Sequence, residues 1–157
     1  APASAVLGGP LLLATQTQVP SATATELGRL RPQRIVILGG TGVISASVAA
    51  KLDAYTTGPV LRMAGADRYA TAATVAARVF PVAESVFVAN GRNFPDALAG
   101  GPSAGAFTGP LLLVLPSDTP TATRQQLQRL QPARVFILGG KGVVSDGVIN
   151  QIKGLFP

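Results

Sequence analysis

Arg34-Ile35-Val36-Ile37-Leu38-Gly39-Gly40-Thr41-Gly42-Val43-Ile44-Ser45 is the stretch that decides the fold. Ile35 to Leu38 are apolar without interruption. A strand that alternates apolar and polar residues buries one face; a continuous apolar run reads as a strand buried on both faces, which belongs in a parallel sheet covered by helices. A glycine-rich turn follows, and then Ser45, a residue type that caps helix starts. Strand, tight turn and helix start therefore succeed one another within twelve residues. The same sentence is written again as Arg134-Val135-Phe136-Ile137-Leu138-Gly139-Gly140-Lys141-Gly142-Val143-Val144-Ser145.

Working outward from this pair, an ungapped shift of 100 residues aligns the two ends of the chain. Gly9 to Leu13 match Gly109 to Leu113, and Thr23, Leu27, Arg29, Leu30 and Arg34 match their counterparts 100 positions on. About 22 of the 57 aligned positions are identical, which marks an internal repeat of roughly 100 residues. Residues 1–57 are then expected to be the C-terminal half of one repeat, and residues 58–157 a complete one.

Short β-type runs recur about every 25 residues: Leu11 to Ala14, Arg34 to Leu38, Pro59 to Met63, Ser85 to Ala89, Pro110 to Val114 and Arg134 to Leu138. Helical stretches with start signals lie between them. Thr23 with Glu26 fits a capping box; Ser45, Asp67 and Ser145 fit N-caps; Pro95 fits a first helical turn. The expected fold class is α/β, with repeated βα units forming parallel sheets flanked by helices, three-layer and Rossmann- or flavodoxin-like, with right-handed crossovers.

Composition narrows the chemistry. The 157 residues include no Cys and no His, so disulfides, thiolate metal sites and every His-dependent triad are excluded. The apolar fraction is 47% and the charged fraction 13%, the reverse of a disordered chain. Mean hydropathy is +0.39. The two uncharged stretches, Ala1 to Thr25 and Ala97 to Ser117, are too interrupted by Gly and Pro for membrane spans. The first lacks a basic leader region and has a counterpart deep in the chain, so it reads as folded structure. Lys and Arg number 13 against 7 acids, and ten of the cations are Arg. That balance favours an anionic partner.

Three constellations could carry function. The glycine turns after Leu38 and Leu138 approach a phosphate-binding G-x-G-x-x-G pattern, but Ser45 and Ser145 replace its third glycine, and no acidic residue stands where a ribose would need one. They read as tight βα turns, or as a site for a nucleotide, a sugar phosphate or another anion. The second is Arg62 to Ala72, which brings Arg62, Asp67 and Arg68 to a strand-to-helix corner. There Asp67 is either a helix cap paired with an Arg, or a neighbour of arginines facing a ligand beyond the carboxyl ends of the strands. The third is Asn90 to Leu98, where Asp96 could pair with Arg68. Asp67 and Asp96 are the one pair of acids placed to share an edge, and both sit at helix starts, so paired-carboxylate catalysis is not expected. Aromatic residues, at 5%, are too few for stacking on single-stranded nucleic acid. The cations nearest the strand carboxyl ends are Arg62, Arg68 and Arg92, with Lys141 in the corresponding turn of the last unit. These four are the candidate ligand-binding residues, whereas Arg34 and Arg134 begin strands and face the opposite edge.

Arg62…Gly65-Ala66-Asp67-Arg68-Tyr69-Ala70-Thr71-Ala72, Asn90-Gly91…Phe94-Pro95-Asp96-Ala97-Leu98-Ala99, Gly109 to Leu113, and Val135 to Gly140 with Val143 to Ser145 together resemble the cell wall-binding repeat type 2 family of Gram-positive bacteria. The resemblance extends over nearly the whole chain, with Pro110-Leu111-Leu112-Leu113 and Pro10-Leu11-Leu12-Leu13 as conservative departures. It implies a non-catalytic module, without cofactor or metal, that anchors a secreted protein to the cell wall through an anionic polysaccharide or teichoic-acid-like polymer. It implies three tandem copies packed as a pseudo-threefold trimer. A chain beginning mid-repeat is then a fragment of a larger array, with self-association or packing against further repeats. Nucleic acid and membrane are not expected partners. The alternative left by the residues is a nucleotide- or sugar-phosphate-binding α/β domain using the glycine turns.

Overall fold

A computed structural model describes residues 2–93 and 95–156. Two parallel sheets result. In the first, β1 (Ile35–Leu38) pairs with β2 (Val60–Met63), Ile35 opposite Val60 and Leu38 opposite Met63. In the second, β3 (Ser85–Asn90) is central, with β4 (Leu111–Val114) on one side and β5 (Arg134–Leu138) on the other. Every residue of β3 is buried, as its uninterrupted Ser-Val-Phe-Val-Ala-Asn run requires.

The helices are α1 (Pro2–Leu7), α2 (Ser21–Leu30), α3 (Ala46–Asp53), α4 (Arg68–Val79), α5 (Pro95–Ala106), α6 (Thr121–Leu130) and α7 (Asp146–Lys153). They cover both faces of the second sheet. On one face Leu127 and Leu130 of α6 and Val148 and Ile152 of α7 pack on Val86, Val88, Leu112 and Val114. On the other lies α5, where Gly100 lets the helix come so close that a Cβ would run into the Leu138 side chain. Phe87, Phe107 and Phe136 stack beside it, with the Phe87 and Phe136 rings 4.9 Å apart. The first sheet is built alike: Leu27 of α2 and Val48 and Leu52 of α3 lie on Ile37. On its other side Val36 meets Ala3 and Leu7 of α1 together with Met63, Val79 and Phe80. α4 joins the two halves. Arg129 of α6 donates to the carbonyls of Phe80 and Pro81, just past the end of α4, and at 3.4 Å to that of Ala76, which also accepts the Phe80 N–H.

The expected N-caps form. Ser45, Asp67 and Ser145 accept from the N–H groups of Val48, Ala70 and Val148. Pro95 opens α5. The capping box does not form. Pro20 starts α2 so early that Thr23 falls inside the helix, where its hydroxyl donates to the Leu13 carbonyl at 2.7 Å. Glu26 instead accepts two bonds from Arg29, at 2.6 and 2.8 Å. Five of the six expected strands are present; Leu11 to Ala14 runs extended but belongs to no ladder. Its counterpart β4 pairs with β3, and among the described residues no strand stands in the matching place beside Leu11–Ala14.

Candidate functional site

The carboxyl edge of the first sheet ends in the turn Gly39–Ile44. Gly39 adopts φ +112°, a conformation that side chains resist, and its N–H donates to Met63 at the end of β2. Val43 and Ile44 both donate to the Gly40 carbonyl, and Val143 and Val144 repeat this at Gly140. N–H groups that a nucleotide phosphate would require are thus consumed inside the turn, which fits a closed βα corner better than a phosphate loop.

Between this turn and the start of α4 lies a cleft of about 560 Å³, bordered by Gly39, Gly40, Asp67, Arg68 and Thr71. Arg62 Nη1 donates to the Gly39 carbonyl at 2.7 Å, so β2 carries the guanidinium across to the rim. Arg68 Nη1 donates to the Gly91 carbonyl at 2.6 Å. The expected Arg68–Asp96 pair is replaced by this backbone contact: Asp96 sits over the Gly139 turn, where a Cβ on the glycine would come within 2.7 Å of its carboxylate. Asp67 keeps its capping role, at 2.7 Å from the Ala70 N–H.

Arg92 follows directly on Gly91. Its backbone N–H is held by Asn90 Oδ1 at 2.8 Å, and its side chain is exposed. Asn90 Nδ2 reaches the Val143 carbonyl at 3.0 Å, which ties the Arg92 corner to the turn containing Lys141. Arg62 and Arg68 are thus tied to the Gly39 and Gly91 carbonyls, with Arg92 next in sequence to Gly91, and among the described residues none of the three forms an ion pair. Lys141 differs: its ammonium meets Asp146 at 2.9 Å, with both side chains exposed. The residue patterns missed the carbonyl tethers, because a backbone acceptor leaves no signature in the side-chain sequence.

The architecture is a repeated α/β unit whose glycine turns close on themselves and whose Arg62 and Arg68 are held by backbone carbonyls. The chain belongs to the family Cell wall binding domain 2 (CWB2), which matches residues 1–49 and 62–149. It is 31% identical over 152 residues to the N-acetylmuramoyl-L-alanine amidase LytC of Bacillus subtilis (strain 168), and 33% identical over 152 residues to the amidase enhancer of the same organism. Each alignment covers 97% of this chain but only 30% and 20% of those proteins. Among solved structures it is similar to Cwp6 from Clostridium difficile, with a TM-score of 0.88, 26% identity, and coverage of 99% of this chain and 25% of that one. Similarity to Cwp8 from Clostridium difficile has a TM-score of 0.80 at 25% identity, over 98% of this chain and 27% of that one. The chain is a cell wall-binding module, and its association is with the cell wall.

Proposed function

We propose that this module is non-catalytic and holds an anionic wall polymer, of the phosphate- or carboxylate-bearing kind, through Arg62, Arg68, Arg92 and Lys141, so anchoring a secreted protein of which it is part. The observation that carries the reading is that Arg62, Arg68 and Arg92, each at a strand-to-helix corner, have no carboxylate partner among the described residues. A carbonyl fixes one nitrogen of Arg62 and of Arg68 and leaves the charge unneutralised. Guanidinium is suited to such ligands because its planar fork can give two bonds to one oxyanion. Lys141 would exchange Asp146 for a polymer anion at little cost, since an exposed ion pair is worth about 0–1 kcal/mol. Residues 1–57 act in this reading as the C-terminal half of one repeat and residues 58–157 as a complete repeat. Attachment gains strength from several repeats acting together.

The test is retention on purified wall polymer, freed of peptidoglycan, across a salt series. Four contacts of about 0.5 kcal/mol each sum to roughly a thirtyfold loss for the Arg62→Gln, Arg68→Gln, Arg92→Gln, Lys141→Gln variant, with a shallower salt dependence. A folded variant that keeps the parent's retention and salt slope rejects this surface.

A further inference from the structure

β3 is buried from end to end, and its last residue, Asn90, is the one buried carboxamide among the described residues. It is 2% exposed. A buried carboxamide without partners is costly, so its polar atoms need matching groups. Both are matched, and both partners lie in the candidate site. Oδ1 accepts the Arg92 N–H at 2.8 Å. Nδ2 donates to the Val143 carbonyl at 3.0 Å. The orientation of the amide is forced, since a backbone N–H only donates and a carbonyl only accepts.

The two bonds reach two different turns. The first is local, two residues along the chain, and fixes the backbone of Arg92 as it leaves the strand. The second spans 53 residues and grips the turn that carries Lys141. That turn is closed by the Val143 and Val144 N–H groups on the Gly140 carbonyl. Gly91 pins the same corner to the sheet. Its N–H donates to the Val114 carbonyl at 2.8 Å, its own carbonyl takes Arg68 Nη1 at 2.6 Å, and a Cβ there would strike the Tyr69 ring. The Arg92 and Lys141 side chains are exposed, long and freely rotating. Ordering them on a ligand costs entropy, and that cost grows if the backbone beneath them also has to be ordered.

We infer that Asn90 is a positioning residue of the polymer-binding edge. From beneath the surface it holds the Arg92 corner and the Lys141 turn at one separation, so that both charges meet a repeating anionic chain together. The inference rests on the polymer reading given above. A residue that served the fold alone would lower stability and, through it, affinity alike in every background. A positioning residue loses its effect on affinity once the groups it positions are gone.

The test is a double-mutant cycle on the full chain, with purified wall polymer freed of peptidoglycan as the probe. Asn90→Ala should lower affinity about fivefold, close to the loss given by Arg92→Gln with Lys141→Gln. In the Arg92→Gln, Lys141→Gln background it should change affinity by no more than about twofold, while its effect on thermal unfolding is the same in both backgrounds. Backbone amide relaxation of the free chain should show Arg92 and Lys141 more mobile in Asn90→Ala than in the parent. Asn90→Ser separates the two bonds and carries the test if Asn90→Ala does not fold. Its hydroxyl can still accept from Arg92 but is too short for Val143, so the Lys141 amide alone should loosen. Unchanged mobility at both residues overturns the inference. So does an equal loss of affinity in both backgrounds when the quadruple Gln variant has lost retention. A quadruple variant that binds like the parent rejects the polymer surface itself, and this role with it.

Discussion

Leu11–Ala14 and Leu111–Val114 carry nearly the same residues and the same threonine anchor, yet one is an uncovered segment and the other a strand. Leu112 is fully buried, while Leu11 and Leu13 are 52% and 76% exposed. The difference is β3, which lies against the second segment and has no equivalent beside the first among the described residues. In the second repeat the ladder with β3 makes the segment a sheet strand and buries Leu112 and Val114. The same contrast runs through the adjoining turns. Val43 is 61% exposed, whereas Val143 is half-buried and its carbonyl receives Asn90 from the end of β3.

The largest effect that could break this contrast is a pair of truncations. Leu112→Ala removes a side chain packed among Val86, Val88 and Leu127, and should cost about 2–5 kcal/mol in denaturant unfolding. Leu12→Ala removes a half-buried one that borders an open cleft, and should cost about 1 kcal/mol. Equal losses would mean that β3 contributes nothing to the burial of its neighbour, and the comparison would fail.

How far the fold was legible follows from the same pair. Short β-type runs, most of them apolar throughout, mark the five strands, and the Ser and Asp caps mark three helix starts, because both signals are local. Leu11–Ala14 carries an equally good local strand signal. Nothing within four residues can tell whether a neighbour exists to accept their hydrogen bonds, so the missing ladder was beyond reach. The candidate site divides in the same way. Arg62, Arg68 and Arg92 were placed on the carboxyl edge by the order of strand and helix. That Arg68 would choose the Gly91 carbonyl over Asp96 depends on how two turns meet in space. Thr23 was assigned to a cap because its spacing to Glu26 fits one, yet the hydroxyl serves the tertiary structure by holding Leu13.

A smaller effect sharpens the comparison at its glycines. Gly109→Ala forces β4 away from the Ser85 carbonyl, a backbone atom that cannot turn aside, and should cost about 1–3 kcal/mol. Gly9→Ala enters open space and should change stability by no more than about 0.5 kcal/mol. Thermal unfolding of the two variants measures the difference directly. If Gly9→Ala proves as damaging as Gly109→Ala, the space beside Leu11 is not open in solution.

The smallest effect concerns the helices that back the two segments. In α2, Arg29 grips Glu26 through two hydrogen bonds; in α6, Arg129 bonds the neutral Gln126 and turns its remaining donors to the end of α4. The hydrogen bonds from Arg29 are the main cause that holds the Glu26 carboxyl below its ordinary range; desolvation opposes them, and the charge of Arg29 adds to the lowering. The sign follows from the ionised form being favoured in the folded chain. Any stabilisation is present above the unfolded carboxyl's pKa and is lost as pH falls through the lowered folded value. Both side chains lie at the surface, where salt and water screen the pair, so global stability should barely register it. The carboxyl's own titration should register it. Followed by carboxyl-carbon NMR, Glu26 should reach its midpoint below that of a free glutamate, about 4.3, and Arg29→Gln should return it towards that value. A midpoint that Arg29→Gln leaves unmoved would show that the surface ion pair of α2 does not persist in solution. The contrast with α6 would then lie wholly in the carbonyls that Arg129 holds.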